Sequence, residues 1–337
     1  MKRIPYALGL VGLAVAIALL AHAGLQTVAG ALAVAGWPLL WLVPLHLVPL
    51  TIDAASWRIL LAPADPHRNA PAPVLVAIAS VREAVNRLLP VASVGGELAG
   101  IRLVAQRGVP AVQAAASVVT ETVLAVGNFT LLAALGLVML ALRSRASGSI
   151  HTLVAAVLIA CPIALAALWL IEEGRIASLL TRLAARFFSS TATPPPWVAS
   201  IQVFETELAA TARRRGRLVA AALLQFVSFA SGATEVWVAL RLLGRPVDPS
   251  AALIIESVTL FVRNVAFAVP AGLGAQEAGI VFIGAALGLD QDVALGLALA
   301  KRMREVLFGV PALIGWHLWE SAAGLRGAGI RVPRTDR

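Results

Sequence analysis

The sequence has very little cysteine and few charged residues. Among its 337 residues there is one cysteine, Cys161, and charged residues make up only 13%. A single cysteine excludes an intrachain disulfide and a thiolate metal cluster, and its apolar surroundings favour an inert, packed thiol. Soluble domains usually contain about 25% charged residues, so the low charge excludes an ordinary soluble protein.

Apolar sequence is abundant instead. Apolar residues form 59% of the chain and its mean hydropathy is +0.87, which predicts an all-α polytopic membrane protein. The longest polar segment spans 174–217, and its 44 residues are fewer than the roughly 50 that a separate domain needs. Any chemistry would therefore have to take place inside the helical bundle.

The formal net charge of +9 comes mostly from Lys and Arg at the ends of apolar segments. Such placement is typical of topology signals and of contacts with anionic lipid head groups. We therefore predict a membrane lipid as the partner, and no nucleic acid.

Hydropathy and turn signals predict about six transmembrane helices and two further elements that are interrupted and more polar. The predicted spans cover residues 5–23, 37–61, 110–142, 152–171, 218–243 and 293–319. The first resembles a secretory signal, because Lys2 and Arg3 precede the apolar run and Ala21-His22-Ala23 ends it. We expect an uncleaved anchor, since its removal would leave an odd number of spans.

The two interrupted elements, 74–107 and 249–288, share one plan. Within them, residues 81–100 are VREAVNRLLPVASVGGELAG and residues 261–279 are FVRNVAFAVPAGLGAQEAG. In each, a helical segment with an Arg and an Asn reaches a proline, breaks in a glycine-rich turn and meets a Glu seven residues after the proline. The expected turn residues are Pro90, Gly95, Gly96, Pro270, Gly272 and Gly274, with glycine supplying positive φ. Paired broken or re-entrant helices of this kind indicate the binding site of a transporter.

Lys and Arg in the connections predict the orientation. With both termini in the cytoplasm, fifteen of these cations lie inside and four outside, in keeping with the positive-inside rule. Segments 37–142 and 218–320 then run in opposite directions, which predicts an inverted repeat within one membrane domain, 1–337. The other parts are an N-terminal span and connection (1–36), a fourth span with a basic cytoplasmic linker (143–217) and a basic tail (321–337).

The basic linker contains Pro194-Pro195-Pro196 between two segments, 175–188 and 197–213, with mixed apolar and charged faces at helical spacing. Both segments are typical of interfacial helices. A lipid-sensing role and a simple solvated linker are equal alternatives for this region.

Ionisable residues at membrane depth form the candidate binding site. Each costs at least about 2.5 kcal/mol on insertion scales, so each needs a partner or a function. Arginines at helix breaks, together with helix N-termini, can hold an anionic head group. The residues expected to bind the head group are Arg82, Asn86, Arg263, Asn264 and Arg302. Those expected to orient these arginines or to couple transport to protons are Glu97, Glu277, Glu121 and Glu305.

A structural interpretation is favoured for several other residues. The expected members of ion pairs that hold the broken helices are Glu83, Arg87, Arg304 and Glu305. Asp53 and Glu235 fit either a cavity or packing. The five histidines, among them His46, have no metal-ligand spacing, and no nucleophile elbow, Walker motif or dinucleotide fingerprint is present. We predict no catalytic residue, no metal site and no cofactor.

Four segments together resemble the lysylphosphatidylglycerol synthase transmembrane-region family, the flippase-like domain of multiple peptide resistance proteins. They are REAVNRLLPVASVGGELAGIRL (82–103), TETV (120–123), RNVAFAVPAGLGAQEAG (263–279) and KRMREVLFGVPALIGWHLWE (301–320). The resemblance covers nearly the whole chain, and within the family it is strongest to the branch associated with hopanoid biosynthesis. It implies a multi-pass protein of the bacterial inner membrane that moves a lipid between leaflets. The soluble aminoacyl-transferase domain of the full-length synthases is not part of this resemblance, so lysyl transfer is not implied.

Three functions remain open on the sequence alone. The first is a flippase-like transporter, not an enzyme, for a hopanoid or a phospholipid with a polar head group. The second is an intramembrane transferase that modifies a lipid head group, and the third is a non-catalytic scaffold of hopanoid or lipid biosynthesis. A homodimer and contacts with lipid-biosynthesis enzymes are compatible with each.

Overall fold

The computed structural model describes residues 35–89, 95–143, 196–266 and 274–327, together with Ala33. Every regular element in these ranges is helical, which confirms the all-α prediction for this part of the chain. The predictions that lie outside the described residues are the spans 5–23 and 152–171, the interfacial segment 175–188, and Pro90, Pro270 and Gly272.

The described helices follow one another through short connections. A 3₁₀ turn, Trp37–Trp41, continues into α1 (Leu42–Leu45) and α2 (Leu47–Leu61), and His46 joins these two helices. The later helices are α3 (Ala72–Leu88), α4 (Gly95–Ala105), α5 (Ala111–Arg143), α6 (Pro196–Arg213), α7 (Arg215–Leu242), α8 (Pro249–Val265), α9 (Ala275–Ala286) and α10 (Gln291–Gly327). Helix α6 confirms that the segment 197–213 is helical.

Three described stretches are long and apolar enough to cross a membrane. They are Trp37–Leu61, Ala111–Arg143 and Arg215–Leu242, with mean hydropathies of 1.5, 2.2 and 1.4. These stretches correspond to the predicted spans 37–61, 110–142 and 218–243. Helix α10, at 37 residues, also exceeds a bilayer in length, but charged residues at 301, 302, 304 and 305 interrupt its apolar sequence.

Each interrupted element consists of two helices that pack against each other, α3 with α4 and α8 with α9. The sequence predicts that a helix begins after each break, at about Gly96 and Ala275. Helix α4 begins at Gly95 and α9 at Ala275, which agrees with both positions to within one residue. Gly274, just before α9, has a φ of 81°, the left-handed conformation expected of a turn glycine. Gly96 instead lies inside α4 and is not among the positive-φ residues, so the turn role predicted for it is wrong.

Packing follows the same scheme on both sides of the bundle. Helix α3 packs against α10 and α8 packs against α5, while α4 contacts α5 and α9 contacts α10. Helices α2 and α7 pack against each other between them. One apolar core forms around Trp57 and Leu75 and a second around Leu137 and Leu240. Each broken element is therefore held by a long helix from the other half of the sequence, which brings the polar residues of both halves together.

A surface ion pair fastens the end of α5 to the start of α8. Asp248 caps α8 by accepting a hydrogen bond from the backbone N–H of Ala251 at 3.0 Å, and Arg143 at the end of α5 pairs with the same carboxylate. The hydrogen bonds from Arg143 hold the pKa of Asp248 below its usual range. This ion pair fixes the N-terminal end of α8.

Candidate functional site

A cavity of about 490 Å³ is lined by residues from both halves of the bundle, and many of them are ionisable. Ligand cavities usually measure about 300–1,000 Å³, so its size suits a small bound molecule. The ionisable residues on its wall are His46, Asp53, Arg82, Glu83, Arg87, Glu97, Glu121, Glu235, Glu256, Arg263 and Arg304. These charged groups lie among apolar helices and must pair with one another, because burying an isolated charge costs free energy.

Arg82 is the central cation of the first broken element. Its Nε lies 3.0 Å from Glu97 Oε2, and its Nη1 lies 2.8 Å from Glu121 Oε2. The guanidinium also lies over the ring of Trp57, 4.7 Å from the centroid. The Arg82 side chain is only 11% exposed, so these contacts compensate a charge that is mostly removed from water.

Two glycines allow α4 to approach Arg82 closely. A Cβ atom on Gly96 would lie 2.3 Å from the backbone oxygen of Arg82, and one on Gly100 would lie 2.6 Å from its Cδ. Asn86 completes this contact, since it accepts a hydrogen bond from the Gly96 N–H at 2.8 Å and donates one to Glu97 at 3.4 Å. Close packing, and not turn geometry, is what requires glycine at position 96.

His46 is the centre of a second polar network. Its Nδ1 lies 2.7 Å from Glu235 Oε1, and its Nε2 lies 2.7 Å from Glu83 Oε2. Arg304 bridges the same two carboxylates, with Nη1 3.1 Å from Glu83 Oε1 and Nε 3.3 Å from Glu235 Oε2. The ring of Phe308 packs edge-on to the imidazole, with centroids 5.0 Å apart. His46 therefore links α3, α7 and α10 at the cavity wall.

A chain of ion pairs extends this network to the second broken element. Arg87 Nη1 lies 3.2 Å from Glu305 Oε1, and Arg302 Nη1 lies 2.9 Å from Glu305 Oε2. Arg302 Nη2 continues the chain to Glu277 Oε1 at 2.8 Å. Glu277 also accepts a hydrogen bond from the Gly274 N–H at 2.8 Å, as expected of a residue in the first turn of a helix. The ion pairs predicted for Glu83, Arg87, Arg304 and Glu305 are all present.

A separate ion pair joins α10 to α8. Lys301 Nζ pairs with Glu256, and both side chains are largely buried. Gly232 on α7 makes room for this carboxylate, since a Cβ there would lie 2.8 Å from Glu256 Oε1. The two charges cancel, and the ion pair holds α8 and α10 together within the second half of the bundle.

Arg263 differs from the other arginines on the cavity wall. It is half-buried, yet within the described ranges no carboxylate lies within 4.0 Å of its guanidinium. Its neighbour Asn264 donates a hydrogen bond to the Leu260 carbonyl at 2.7 Å and also lines the cavity. Arg263 is therefore the cationic group best placed to receive an anion.

Asp53 presents the complementary feature. It lines the same cavity, and its Oδ1 is buried with no hydrogen-bond partner among the residues described. A buried acceptor without a donor costs about 1–3 kcal/mol, so a hydroxyl or amine of a bound molecule would be favoured there. The cavity thus offers both a cation and an open acceptor.

The structure brings most of the predicted site together. The predicted residues that line the cavity are Arg82, Asn86, Glu97, Glu121, Arg263 and Asn264. Arg302, Glu277 and Glu305 lie in the adjoining ion-pair chain and not among the lining residues.

Sequence reasoning gave no site role to His46, Glu256 or Lys301, and it left Glu235 open between a cavity and a packing role. The signal that could have identified His46 is its position at membrane depth between two prolines in LVPLHLVPL, because ionisable residues inside spans usually have partners or functions. No group of three potential metal ligands occurs in the part of the chain that the structure describes.

Comparison with protein-family models identifies the family of the chain. A protein-family model described as Lysylphosphatidylglycerol synthase TM region matches residues 6–315. Neither the curated proteins nor the solved structures contain a match to the chain.

Proposed function

The chain belongs to the lysylphosphatidylglycerol synthase TM region family, and we propose that it moves a membrane lipid between the two leaflets. The observation that carries this proposal is the cavity of about 490 Å³ whose charged wall comes from both halves of an apolar bundle. A head group crossing a bilayer must exchange water for fixed polar groups, and this wall supplies them.

The contacts favour a head group with a phosphate and hydroxyl groups. Arg263 can donate two parallel hydrogen bonds to a phosphate, and its charge is not used by a described carboxylate. The open Oδ1 of Asp53 can accept a hydrogen bond from a hydroxyl. A phospholipid with a polar head group or a hopanoid with a substituted polar end would satisfy these groups, while its apolar part lies along the outside of the bundle.

The matched packing of the two halves supports an inverted repeat with alternating access. In the proposed arrangement, both termini are cytoplasmic in the bacterial inner membrane, and α3–α4 and α8–α9 enter from opposite sides. The cavity then opens to one leaflet at a time as one half rocks against the other. Glu97 orients Arg82 and Glu277 orients Arg302 in this arrangement.

Reconstitution tests the proposal directly. Proteoliposomes would contain phosphatidylglycerol with a fluorescent acyl chain, and bleaching by external dithionite would report the rate at which label reaches the outer leaflet. A hydrogen bond to a charged group contributes about 1.5–3 kcal/mol, so we expect Arg263→Gln to slow transfer about tenfold or more. The matched control is Arg245→Gln, because that arginine pairs with exposed Asp290 outside the cavity.

Transfer at the protein-free rate by the wild-type protein would overturn the proposal for this lipid class. Equal transfer by wild type, Arg263→Gln and Arg245→Gln would remove Arg263 from the site. Mass spectrometry of the same lipids separates transport from chemistry, since a new lipid mass would favour an intramembrane transferase instead.

A further inference from the structure

His46 lies between two carboxylates, and its contacts favour a ring that carries a proton on both nitrogens. A neutral ring has one N–H donor and one acceptor nitrogen, whereas carboxylate oxygens only accept. Both ring nitrogens of His46 nevertheless lie 2.7 Å from carboxylate oxygens, of Glu83 on one side and Glu235 on the other. Arg304 Nη1 also lies 3.0 Å from Nε2, and a neutral ring could accept a hydrogen bond from it. That ring would place two acceptors, Nε2 and Glu83 Oε2, 2.7 Å apart with no proton between them, whereas Arg304 Nη1 already has Glu83 Oε1 as an acceptor at 3.1 Å. A proton on each ring nitrogen satisfies both 2.7 Å contacts.

The charges around His46 indicate where the additional proton lies. The connected network contains four carboxylates and three guanidinium groups among the described residues. The carboxylates belong to Glu83, Glu235, Glu277 and Glu305, and the guanidinium groups to Arg87, Arg302 and Arg304. One more positive charge makes the network neutral, which a buried cluster strongly favours. The nearby Lys301–Glu256 pair from α10 and α8 is already neutral.

The imidazole, and not a carboxyl group, is the natural position for this proton. Glu83 faces Arg87 at 3.5 Å and Arg304 at 3.1 Å, and Glu235 faces Arg304 at 3.3 Å, so both carboxylates are stabilised in the charged form. His46 is 7% exposed and lines the cavity, which gives the proton a route to water.

We propose that His46 is a proton-binding site that couples lipid movement to the proton gradient across the membrane, an inference that rests on the function proposed above. The imidazolium donates from Nδ1 to Glu235 on α7 and from Nε2 to Glu83 on α3, so it ties the two halves of the bundle together. When a proton leaves the ring for water in the cavity, one carboxylate loses its donor and the network keeps an uncompensated negative charge. This change weakens the contact between the halves that must separate when the cavity changes sides.

The protonation of His46 can be measured without any transport assay. Protein containing ¹⁵N-labelled histidine would be placed in lipid nanodiscs, with His46→Gln used to assign the signal by its loss. We expect both ring nitrogens of His46 to carry protons at pH 7. A ring that stays neutral from pH 5 to pH 9 would overturn the proposal.

Coupling is tested in proteoliposomes with a pH difference of one unit across the membrane. One proton per lipid can sustain up to a tenfold ratio of labelled lipid between the leaflets, since a tenfold ratio corresponds to one pH unit. We expect this asymmetry for wild type and for His317→Gln, the matched histidine control on α10, and its loss after addition of a protonophore. His46→Gln should leave the ratio near one.

A third variant separates coupling from folding. His46→Lys keeps a positive charge opposite both carboxylates, so it should elute as a folded protein in detergent yet fail to respond to the gradient. A full gradient response by His46→Lys or by His46→Gln would overturn the coupling role. Wild-type transfer that ignores the gradient would overturn the coupling alone, whereas the absence of any wild-type transfer would overturn the proposed function and the coupling together.

Discussion

Replacing Arg82 by glutamine should destabilise the protein through the carboxylates that it leaves behind. Arg82 lies 3.0 Å from Glu97 and 2.8 Å from Glu121, and removal of one partner from a buried ion pair costs about 3–5 kcal/mol. The Glu97 side chain is 24% exposed and can be solvated from the cavity, whereas that of Glu121 is 4% exposed. We therefore expect Arg82→Gln to lower the free energy of unfolding by about 3 kcal/mol, with Glu121 responsible for most of the loss.

A double-mutant cycle isolates this cause. Arg82→Gln combined with Glu121→Gln removes the stranded charge and should recover more than half of the loss, while Arg82→Gln combined with Glu97→Gln should recover less. The measurement is denaturant unfolding in detergent micelles, followed by tryptophan fluorescence. Arg245→Gln serves as the surface control and should stay within about 0.5 kcal/mol of wild type.

The outcome can contradict the reasoning in two ways. If the losses of Arg82→Gln and Glu121→Gln simply add, the stranded carboxylate is not the source of the destabilisation. If Glu97→Gln rescues as well as Glu121→Gln, the depth of burial does not decide the cost.

Two further predictions follow from the packing of α4 and α10. Gly96→Ala should lower the free energy of unfolding by about 1–3 kcal/mol, because the added Cβ would lie 2.3 Å from the Arg82 carbonyl oxygen. Gly315→Ala, with open space around it, should raise the free energy of unfolding by up to about 1 kcal/mol. Equal effects of the two variants in denaturant unfolding would contradict the close approach of α4 to Arg82. Lys301→Met strands the buried carboxylate of Glu256, so it should be less stable by thermal unfolding than Lys301→Met combined with Glu256→Gln. A double variant no more stable than the single one would argue against that pair.

Much of the helical framework could be predicted because its signals are local. The span predicted at 37–61 matches the stretch Trp37–Leu61, and the span predicted at 110–142 matches the 33-residue helix Ala111–Arg143. The starts of α4 and α9 also agree with the sequence, since glycine, proline and an early Glu are short-range signals. Hydropathy and turn chemistry act within a few residues, so one sequence is enough to find them.

Gly96 shows where such short-range signals fail to predict the structure. Its sequence context, beside Gly95 and six residues after Pro90, favoured a turn, yet the residue lies inside α4 and is glycine because Arg82 is too close for a Cβ. A close approach between two helices leaves no trace in the residues that flank the glycine. Only the tertiary packing distinguishes the two reasons for the same residue.

The partner of each charged residue could not be predicted from the sequence either. Ion pairs were expected for Glu83, Arg87 and Arg304, but the role of His46 between Glu83 and Glu235 depends on residues 37 and 189 positions away. Similarly, Glu97 contacts Arg82 in its own element, whereas Glu277 contacts Arg302 on α10 and not Arg263. Both glutamates follow the same motif, so their different partners come from helix packing.

The sequence by itself determined that this is a helical membrane protein with two similar interrupted elements, because the cost of exposing polar backbone and charge to lipid restricts each segment separately. The tertiary structure decided which buried charges neutralise each other and which remain available. It joined His46 to carboxylates of both halves and left Arg263 on the cavity wall without a described carboxylate. The physical reason is that electrostatic compensation in a medium of low dielectric depends on distances of a few ångströms, and these are set only when the helices pack.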